Sequence, residues 1–248
     1  MYLFNNEFVV NIDSLLNKNY LFYAHKRPTF DGCKYETIQE HINRCLNHFR
    51  SIITARNLET VFLNFKKNLF PEKDEETWDF FDELIINTII FHDLGKINPL
   101  FQRINMENKF FQKEKGDITL GSDHSIISAI LYLEYYLPRS NDFTKDIRDK
   151  YRFLTYINAY VISKHHGSLN RFESFLNSFY EENSNYRYFI DLIRNEYKKY
   201  INFNFQERKN CSHYVKSVMR YETSCLEESI TLYAYERLIY SLLVASDY

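Results

Sequence analysis

The chain has 248 residues, with 33 acidic against 31 basic side chains, so its formal net charge is −2 with neutral histidines. Hydrophobic residues make up 45% and charged residues 26%, which is typical of a folded globular chain and excludes a disordered one. Five glycines and four prolines are too few turn residues for a many-stranded sandwich or barrel.

Several common classes of site and segment are absent from the sequence. It contains no G-x-G-x-x-G and no Walker A loop, which are two frequent nucleotide cradles. The four cysteines are widely spaced and form no C-x-x-C pair, which argues against a thiolate zinc cluster and a disulfide framework. The N-terminus lacks a basic region, and no apolar run reaches about 18 residues. We therefore expect a cytoplasmic protein with no membrane segment.

The apolar spacing predicts an all-α protein. Residues 1–35 look irregular, with a turn at 27–32, residues 101–122 look like a loop, and residues 140–149 look like a polar connection. Helical spacing predicts helices over residues 37–70, 77–94, 124–137, 151–166 and 223–248. We expect one domain over residues 1–248, a compact helical bundle whose most apolar helix, 77–94, lies at the centre.

Polar side chains interrupt the ends of the most apolar helices. His92 and Asp93 end the central helix, His165 and His166 end another, and Asp247 follows a third apolar run. Burying such groups is costly unless they are paired or bind a metal. Each helix end is therefore a candidate contributor to a shared polar site.

Two further histidines complete the candidate set. His41 and His124 each lie alone on an apolar helix, where a histidine is more often an ordinary core or surface side chain, and Asp247 alone is more often a solvated carboxylate. The whole set of imidazoles and carboxylates suits divalent transition metals. It is too large for one ion with open positions, so we predict two ions and a bridging carboxylate. Such a pair would leave a positive site that attracts a phosphodiester.

The order of these motifs resembles the HD-domain metal-dependent phosphohydrolases, and more narrowly the HD nuclease of type I CRISPR systems. That nuclease is either fused to a superfamily 2 helicase or a separate protein. Ala24-His25 also fits the opening of the family. The motifs that carry the resemblance are, in order, His41, His92-Asp93-Leu94-Gly95-Lys96, His124-Ser125, His165-His166-Gly167 and Ser246-Asp247.

The resemblance implies roles for individual residues. The ligands of the first ion would be His41, His92, Asp93 and Asp247. The ligands of the second would be Asp93, His124, His165 and His166, with Asp93 bridging. The two ions would be Fe, Mn, Co or Ni, with Mg also an option. Lys96, one helical turn after Asp93, would contact a substrate phosphate, and His25 is given no ligand role.

The resemblance also implies an activity and partners. The chain would be an enzyme that hydrolyses single-stranded DNA in CRISPR interference, beside a superfamily 2 helicase domain or subunit and a Cascade-type surveillance complex. Because Asp247 is the penultimate residue, we expect a nuclease domain cut from a longer fusion or a short free-standing form. Two alternatives are an HD phosphohydrolase of small nucleotides (dNTPs or cyclic nucleotides) and a metal-free binding module on the same scaffold.

Residues 171–220 allow two interpretations. Basic side chains alternate with tyrosines and phenylalanines there, which suits contacts to a single strand through backbone charge and base stacking. Acidic side chains are mixed in, which favours amphipathic helices whose aromatic side chains belong to the core.

Overall fold

The computed structural model describes residue 4 and residues 6–71, 74–111, 123–181, 184–206 and 209–247. Two strands, β1 (Tyr23–Thr29) and β2 (Gly32–Thr37), form an antiparallel hairpin. The α-helices in these ranges are α1 (Ile12–Leu15), α2 (Ile38–Ala55), α3 (Glu59–Leu69), α4 (Glu75–Phe91), α5 (Pro99–Ile104), α6 (His124–Arg139), α7 (Lys145–Lys164), α8 (Phe172–Asn177), α9 (Asn185–Glu196), α10 (Val215–Met219) and α11 (Leu226–Asp247).

Helix α4 lies at the centre of the helical assembly. It packs against α2, α6, α7 and α11. Every residue from Leu84 to Phe91 is buried, which explains why this stretch is apolar on nearly all sides. Asp74 caps its N-terminus by accepting from the Glu76 amide, and the acidic side chains of the first turn favour the same end. The structure is mainly helical and compatible with the predicted helical bundle.

A buried hydrogen-bond network fixes the helices around α4. The Tyr132 hydroxyl donates to the Leu84 carbonyl at 2.8 Å, and the Asn158 amide donates to the Tyr132 oxygen at 2.9 Å. Tyr235 then donates to Asn158 Oδ1 at 2.8 Å. One network therefore joins α4, α6, α7 and α11, and each of its polar groups depends on the next for a partner.

Tyr235→Phe tests this network. The substitution leaves Asn158 Oδ1 buried without its donor, so we expect a loss of about 1–2 kcal/mol in the free energy of unfolding, measured by urea denaturation. Tyr233→Phe is the matched control, because Tyr233 lies on the same helix and is 63% exposed. Equal stability of the Tyr235→Phe variant and the control would contradict the role of the network.

The hairpin corrects the all-α prediction. Residues 23–37, expected to be largely irregular, form β1 and β2, in a register that pairs Thr29 with Gly32. Gly32 has a φ of +132°, a conformation that side chains disfavour, so the glycine permits the tight reversal. The two strands contain few apolar residues and show no regular alternation of apolar and polar residues, which is why the pattern did not indicate strands.

Several helices begin or end at residues other than the predicted ones, because the local backbone conformation sets these boundaries. The predicted helix over 37–70 is two helices, separated near Asn57, which has a φ of 50°. Helix α4 ends at Phe91, so His92 and Asp93 follow the helix and do not lie within it. Pro99 occupies the first turn of α5, where its missing N–H costs nothing. Pro138 lies inside the last turn of α6.

The remaining predicted segments are partly helical. Residues 101–104 belong to α5, whereas 112–122, in the predicted loop, lie outside the described residues. Residues 145–149, expected in a connection, begin α7, and the last predicted helix begins at Leu226.

Many aromatic side chains between 171 and 220 are buried, among them Phe175, Phe189 and Tyr197, which supports the amphipathic interpretation. Among the described residues, no helix combines the length and apolar character needed to cross a bilayer.

Candidate metal centre

Helix ends bring the seven predicted ligands into one place. His41 lies in the first turn of α2, His124 begins α6, and Asp247 lies in the last turn of α11. His92 and Asp93 directly follow α4, and His165 and His166 directly follow α7. Neighbouring imidazole rings in this group lie 3.9–5.7 Å apart, centroid to centroid. Residues that are far apart in the sequence thus share one site.

Asp93 is the centre of the arrangement, and its two carboxylate oxygens face different imidazoles. Oδ2 lies 2.8 Å from His41 Nε2 and 3.6 Å from His92 Nε2. Oδ1 lies 3.2 Å from His124 Nε2 and 3.4 Å from His165 Nε2. A carboxylate placed in this way can serve two adjacent groups of ligands.

Backbone carbonyls orient two of the imidazoles. His92 Nδ1 lies 2.7 Å from the Ile89 carbonyl, and His165 Nδ1 lies 2.6 Å from the Ile162 carbonyl. A carbonyl only accepts, so each Nδ1 carries the proton and donates it. Nε2 of each ring faces Asp93 and is the nitrogen that would bind a metal once it carries no proton.

Within the described residues, the ligand atoms form three groups whose members lie within 4.8 Å of one another. One group is His25, His41 and Asp93, and we call the other two the Asp247 cluster and the Asp93 cluster. The Asp247 cluster consists of His41, Cys45, His92 and Asp247, and the Asp93 cluster of Asp93, His124, His165 and His166. Two atoms that bind one ion at about 2.1 Å lie about 3.0–3.4 Å apart. The distances of Asp247 Oδ1 to His41 Nε2 and His92 Nε2, 3.2 and 3.4 Å, match this spacing.

Unsatisfied buried atoms show that these groups suit a cation. Within the described residues, both carboxylate oxygens of Asp93 and Nε2 of His165 are buried and make no hydrogen bond of good geometry. They nevertheless lie within 2.7–3.4 Å of imidazole or carboxylate partners or, for Asp93 Oδ2, of the Lys96 ammonium. Atoms that point at a shared centre are expected to lie close together, but the angles between them do not suit hydrogen bonds. The residues present therefore fit a bound metal.

The electrostatics of the Asp247 cluster also demand positive charge. Burial lowers the pKa of His41, but the close carboxylates of Asp247 and Asp93 outweigh it and raise the pKa to about 11. Burial likewise opposes the charge of His92, whereas Asp93 and Asp247 raise its pKa to about 10. Protons on these rings thus supply the charge that two carboxylates require, and a divalent cation would supply the same charge.

The Asp93 cluster behaves differently because it is richer in imidazole. Burial lowers the pKa of His166 to about 4, helped by the neighbouring His165 and His124. Burial also lowers the pKa of His165, although Asp93 opposes the effect. These rings are neutral near neutral pH, the form that binds a metal. His166 is exposed and His124 is partly exposed, so the site opens to solvent on this side.

Lys96 lies inside the site rather than at its rim. The side chain is 3% exposed, and Nζ lies 2.7 Å from Asp93 Oδ2 and 3.3 Å from His25 Nε2. The ammonium is also 5.9 Å from the Phe101 ring centroid. The structure thus places Lys96, in a 3₁₀ turn over Leu94–Ile97, directly beside the Asp93 carboxylate.

Two residues at the site were not assigned a ligand role from the sequence. His25 comes from β1, and its ring centroid lies 4.6 Å from that of His41. Cys45 lies one helical turn after His41, with Sγ 3.6 Å from His41 Nε2. The i, i+4 spacing of His41 and Cys45 on α2 was the available signal, because such residues share a helix face.

No family model, no curated protein and no solved structure matches this chain. Interpretation of the site therefore depends on its own geometry. What these observations establish is a set of buried histidine, aspartate and cysteine groups that could hold a metal ion.

Proposed function

We propose that this chain is a metal-dependent hydrolase of phosphodiester bonds, acting on single-stranded DNA. The observation that carries the proposal is the position of Asp93, whose two oxygens face separate sets of imidazole nitrogens at 2.8–3.6 Å. Bound divalent ions would supply Lewis acidity toward phosphate oxygens and a nucleophilic water at neutral pH. We propose transition metals, Fe, Mn, Co or Ni, with Mg as an option, two of them sharing Asp93.

The chain's own residues would prepare this chemistry. His92 and His165 are held by backbone carbonyls with Nε2 toward Asp93, so the ligands need little reorganisation. His166 is exposed, so a long, flexible substrate would reach the site from this side. The absence of a base-reading motif in the sequence agrees with cleavage of little sequence preference.

Lys96 would stabilise charge on a phosphate oxygen. Its ammonium already lies next to Asp93, and binding of cations at Asp93 would free it to donate to the substrate. We place this activity, as the sequence resemblance implies, in type I CRISPR interference, with a superfamily 2 helicase and a surveillance complex as partners.

The test is hydrolysis by purified protein loaded with Mn²⁺, Co²⁺, Ni²⁺ or Mg²⁺. Labelled single-stranded DNA is compared with duplex DNA, RNA, dNTPs and cyclic nucleotides, with and without EDTA. We expect EDTA-sensitive cleavage of single-stranded DNA. Intact DNA together with nucleotide turnover would instead support the small-nucleotide phosphohydrolase, and protein that binds no metal would support a binding module.

Lys96→Met is expected to slow cleavage by about 10²-fold, because it removes one positively charged donor near the reacting phosphate. Metal content, measured by elemental analysis, should change much less than the rate, since Lys96 is not a metal ligand. Lys18→Met, at an exposed lysine in a turn, is the control and should retain full activity. A parallel fall of metal content and rate would assign Lys96 a structural role only.

A further inference from the structure

Cys45 is a buried thiol placed among groups that bind metals. It lies on α2 one turn after His41 and is 0% exposed. Sγ belongs to the group of ligand-type atoms from His41, His92 and Asp247 that lie within 4.8 Å of one another. Asp93 is not a member of this group, although the sequence motif assigns it to the same ion as His41, His92 and Asp247.

The spacing of the thiol matches a shared metal. A thiolate binds Zn²⁺ at about 2.3 Å and an imidazole at about 2.0–2.1 Å, so a tetrahedral ion separates the two atoms by about 3.6 Å. Cys45 Sγ lies 3.6 Å from His41 Nε2. The other members agree, since Asp247 Oδ1 lies 3.2 Å from His41 Nε2 and 3.4 Å from His92 Nε2.

A second observation points to a ligand at this place. Asp93 Oδ2 is fully buried and makes no hydrogen bond of good geometry within the described residues. It faces His41 Nε2, His92 Nε2 and the Lys96 ammonium at 2.8, 3.6 and 2.7 Å. The imidazoles of the Asp247 cluster therefore already converge with a buried carboxylate oxygen that has ionic neighbours but no well-aligned hydrogen bond, and the thiol of Cys45 extends this set.

We infer that Cys45 is a thiolate ligand of the ion held by His41, His92 and Asp247. The inference rests on the proposed function and specifies which metals this half of the site takes. On binding, the Cys45 S–H bond breaks, a metal–sulfur bond forms and the proton leaves to solvent, with no change in oxidation state.

The donor set distinguishes the two halves of the centre. Sulfur together with imidazole and carboxylate favours Zn²⁺, Co²⁺ or Fe²⁺ over the hard ions Mn²⁺ and Mg²⁺. The Asp93 cluster offers only nitrogen and oxygen. The Asp247 cluster is thus the half that selects a borderline-soft metal, and its thiolate lowers the net positive charge of the loaded site by one.

The experiment is anaerobic titration of the metal-free full chain with Co²⁺ in a thiol-free reductant. Visible bands report cobalt bound by any ligands, whereas a near-ultraviolet sulfur-to-cobalt charge-transfer band reports a thiolate. We expect both bands in the unmodified protein. Cys45→Ser and Cys45→Ala should lose the near-ultraviolet band, and Zn²⁺ affinity should fall about tenfold or more while Mn²⁺ affinity changes little.

Matched variants and a second measurement separate the outcomes. Cys33→Ser and Cys225→Ser alter exposed cysteines and should keep the near-ultraviolet band. X-ray absorption of the zinc-loaded unmodified protein should show a sulfur neighbour at about 2.3 Å, whether or not the Cys45 variants fold. Bound cobalt without the band, or zinc with only nitrogen and oxygen neighbours, overturns the thiolate and leaves the proposed function intact. No bound metal at all overturns both.

Discussion

Asp93→Asn is expected to remove metal binding and DNA cleavage together. The amide keeps the shape of the side chain but replaces one carboxylate oxygen with an NH₂ group, which cannot bind a cation. Because Asp93 Oδ1 and Oδ2 face different imidazoles, the amide leaves one set of imidazoles without a facing oxygen and removes the negative charge that both sets share. Cleavage should fall by at least about 10³-fold, at the upper end of the effect of removing one charge-stabilising group.

Elemental analysis of the Asp93→Asn variant after equilibration with Mn²⁺ or Co²⁺ measures the first part of this prediction. Cleavage of single-stranded DNA measures the second. Asp79→Asn, in the first half of α4 and away from the metal centre, is the matched control and should retain metal and activity. A variant at Asp93 that keeps its metal content and its rate would show that this carboxylate does not bridge the two clusters.

Among glycine-to-alanine substitutions at Gly32, Gly95 and Gly167, Gly95→Ala is expected to lower the free energy of unfolding the most. A Cβ at Gly95 would lie 2.0 Å from the His124 carbonyl oxygen and 2.8 Å from both the amide and the hydroxyl oxygen of Ser128. The Gly95 amide also donates to Ser128 Oγ at 2.7 Å. The backbones of α6 and the turn after Asp93 would have to separate, which we expect to cost about 3 kcal/mol or more.

Urea denaturation measures this loss for Gly95→Ala, and elemental analysis should show reduced metal content because His124 moves away from Asp93. Gly167→Ala is the matched control. A Cβ there would lie 3.8 Å from the nearest atom, the Lys164 carbonyl oxygen, which is ordinary contact. The control should change stability by about 0.5 kcal/mol or less. Similar stability of both variants would contradict the close approach at Gly95.

The central helix could be predicted because one signal dominates it. Apolar side chains on all faces of Leu84–Phe91 indicate burial in any helical arrangement, and polar residues directly after such a run indicate a site. The seven predicted ligands could be named because each is a polar interruption of an apolar segment or belongs to the ordered motif. Their roles as metal ligands and the family itself remain predictions.

The hairpin and the residues His25 and Cys45 could not be identified in this way. Strand pairing in the hairpin depends on contacts with α2 and on one glycine with positive φ, and neither leaves an alternating pattern. Cys45 looks like an ordinary small apolar residue of an amphipathic helix, and only the position of His92 and Asp247 beside it gives its sulfur chemical meaning. The function of such residues depends on which side chains the fold places beside them.

The last turn of α11 brings Asp247 to within 3.2 Å of His41 and 3.4 Å of His92. Metal binding and folding are therefore linked. The unfolded chain has no preformed site, so the binding free energy of an ion would add to the free energy of unfolding. At a concentration of one hundred times the dissociation constant this amounts to about 2.7 kcal/mol. Loading should also slow amide hydrogen exchange in this terminal turn, so metal supply would control how firmly α11 stays docked.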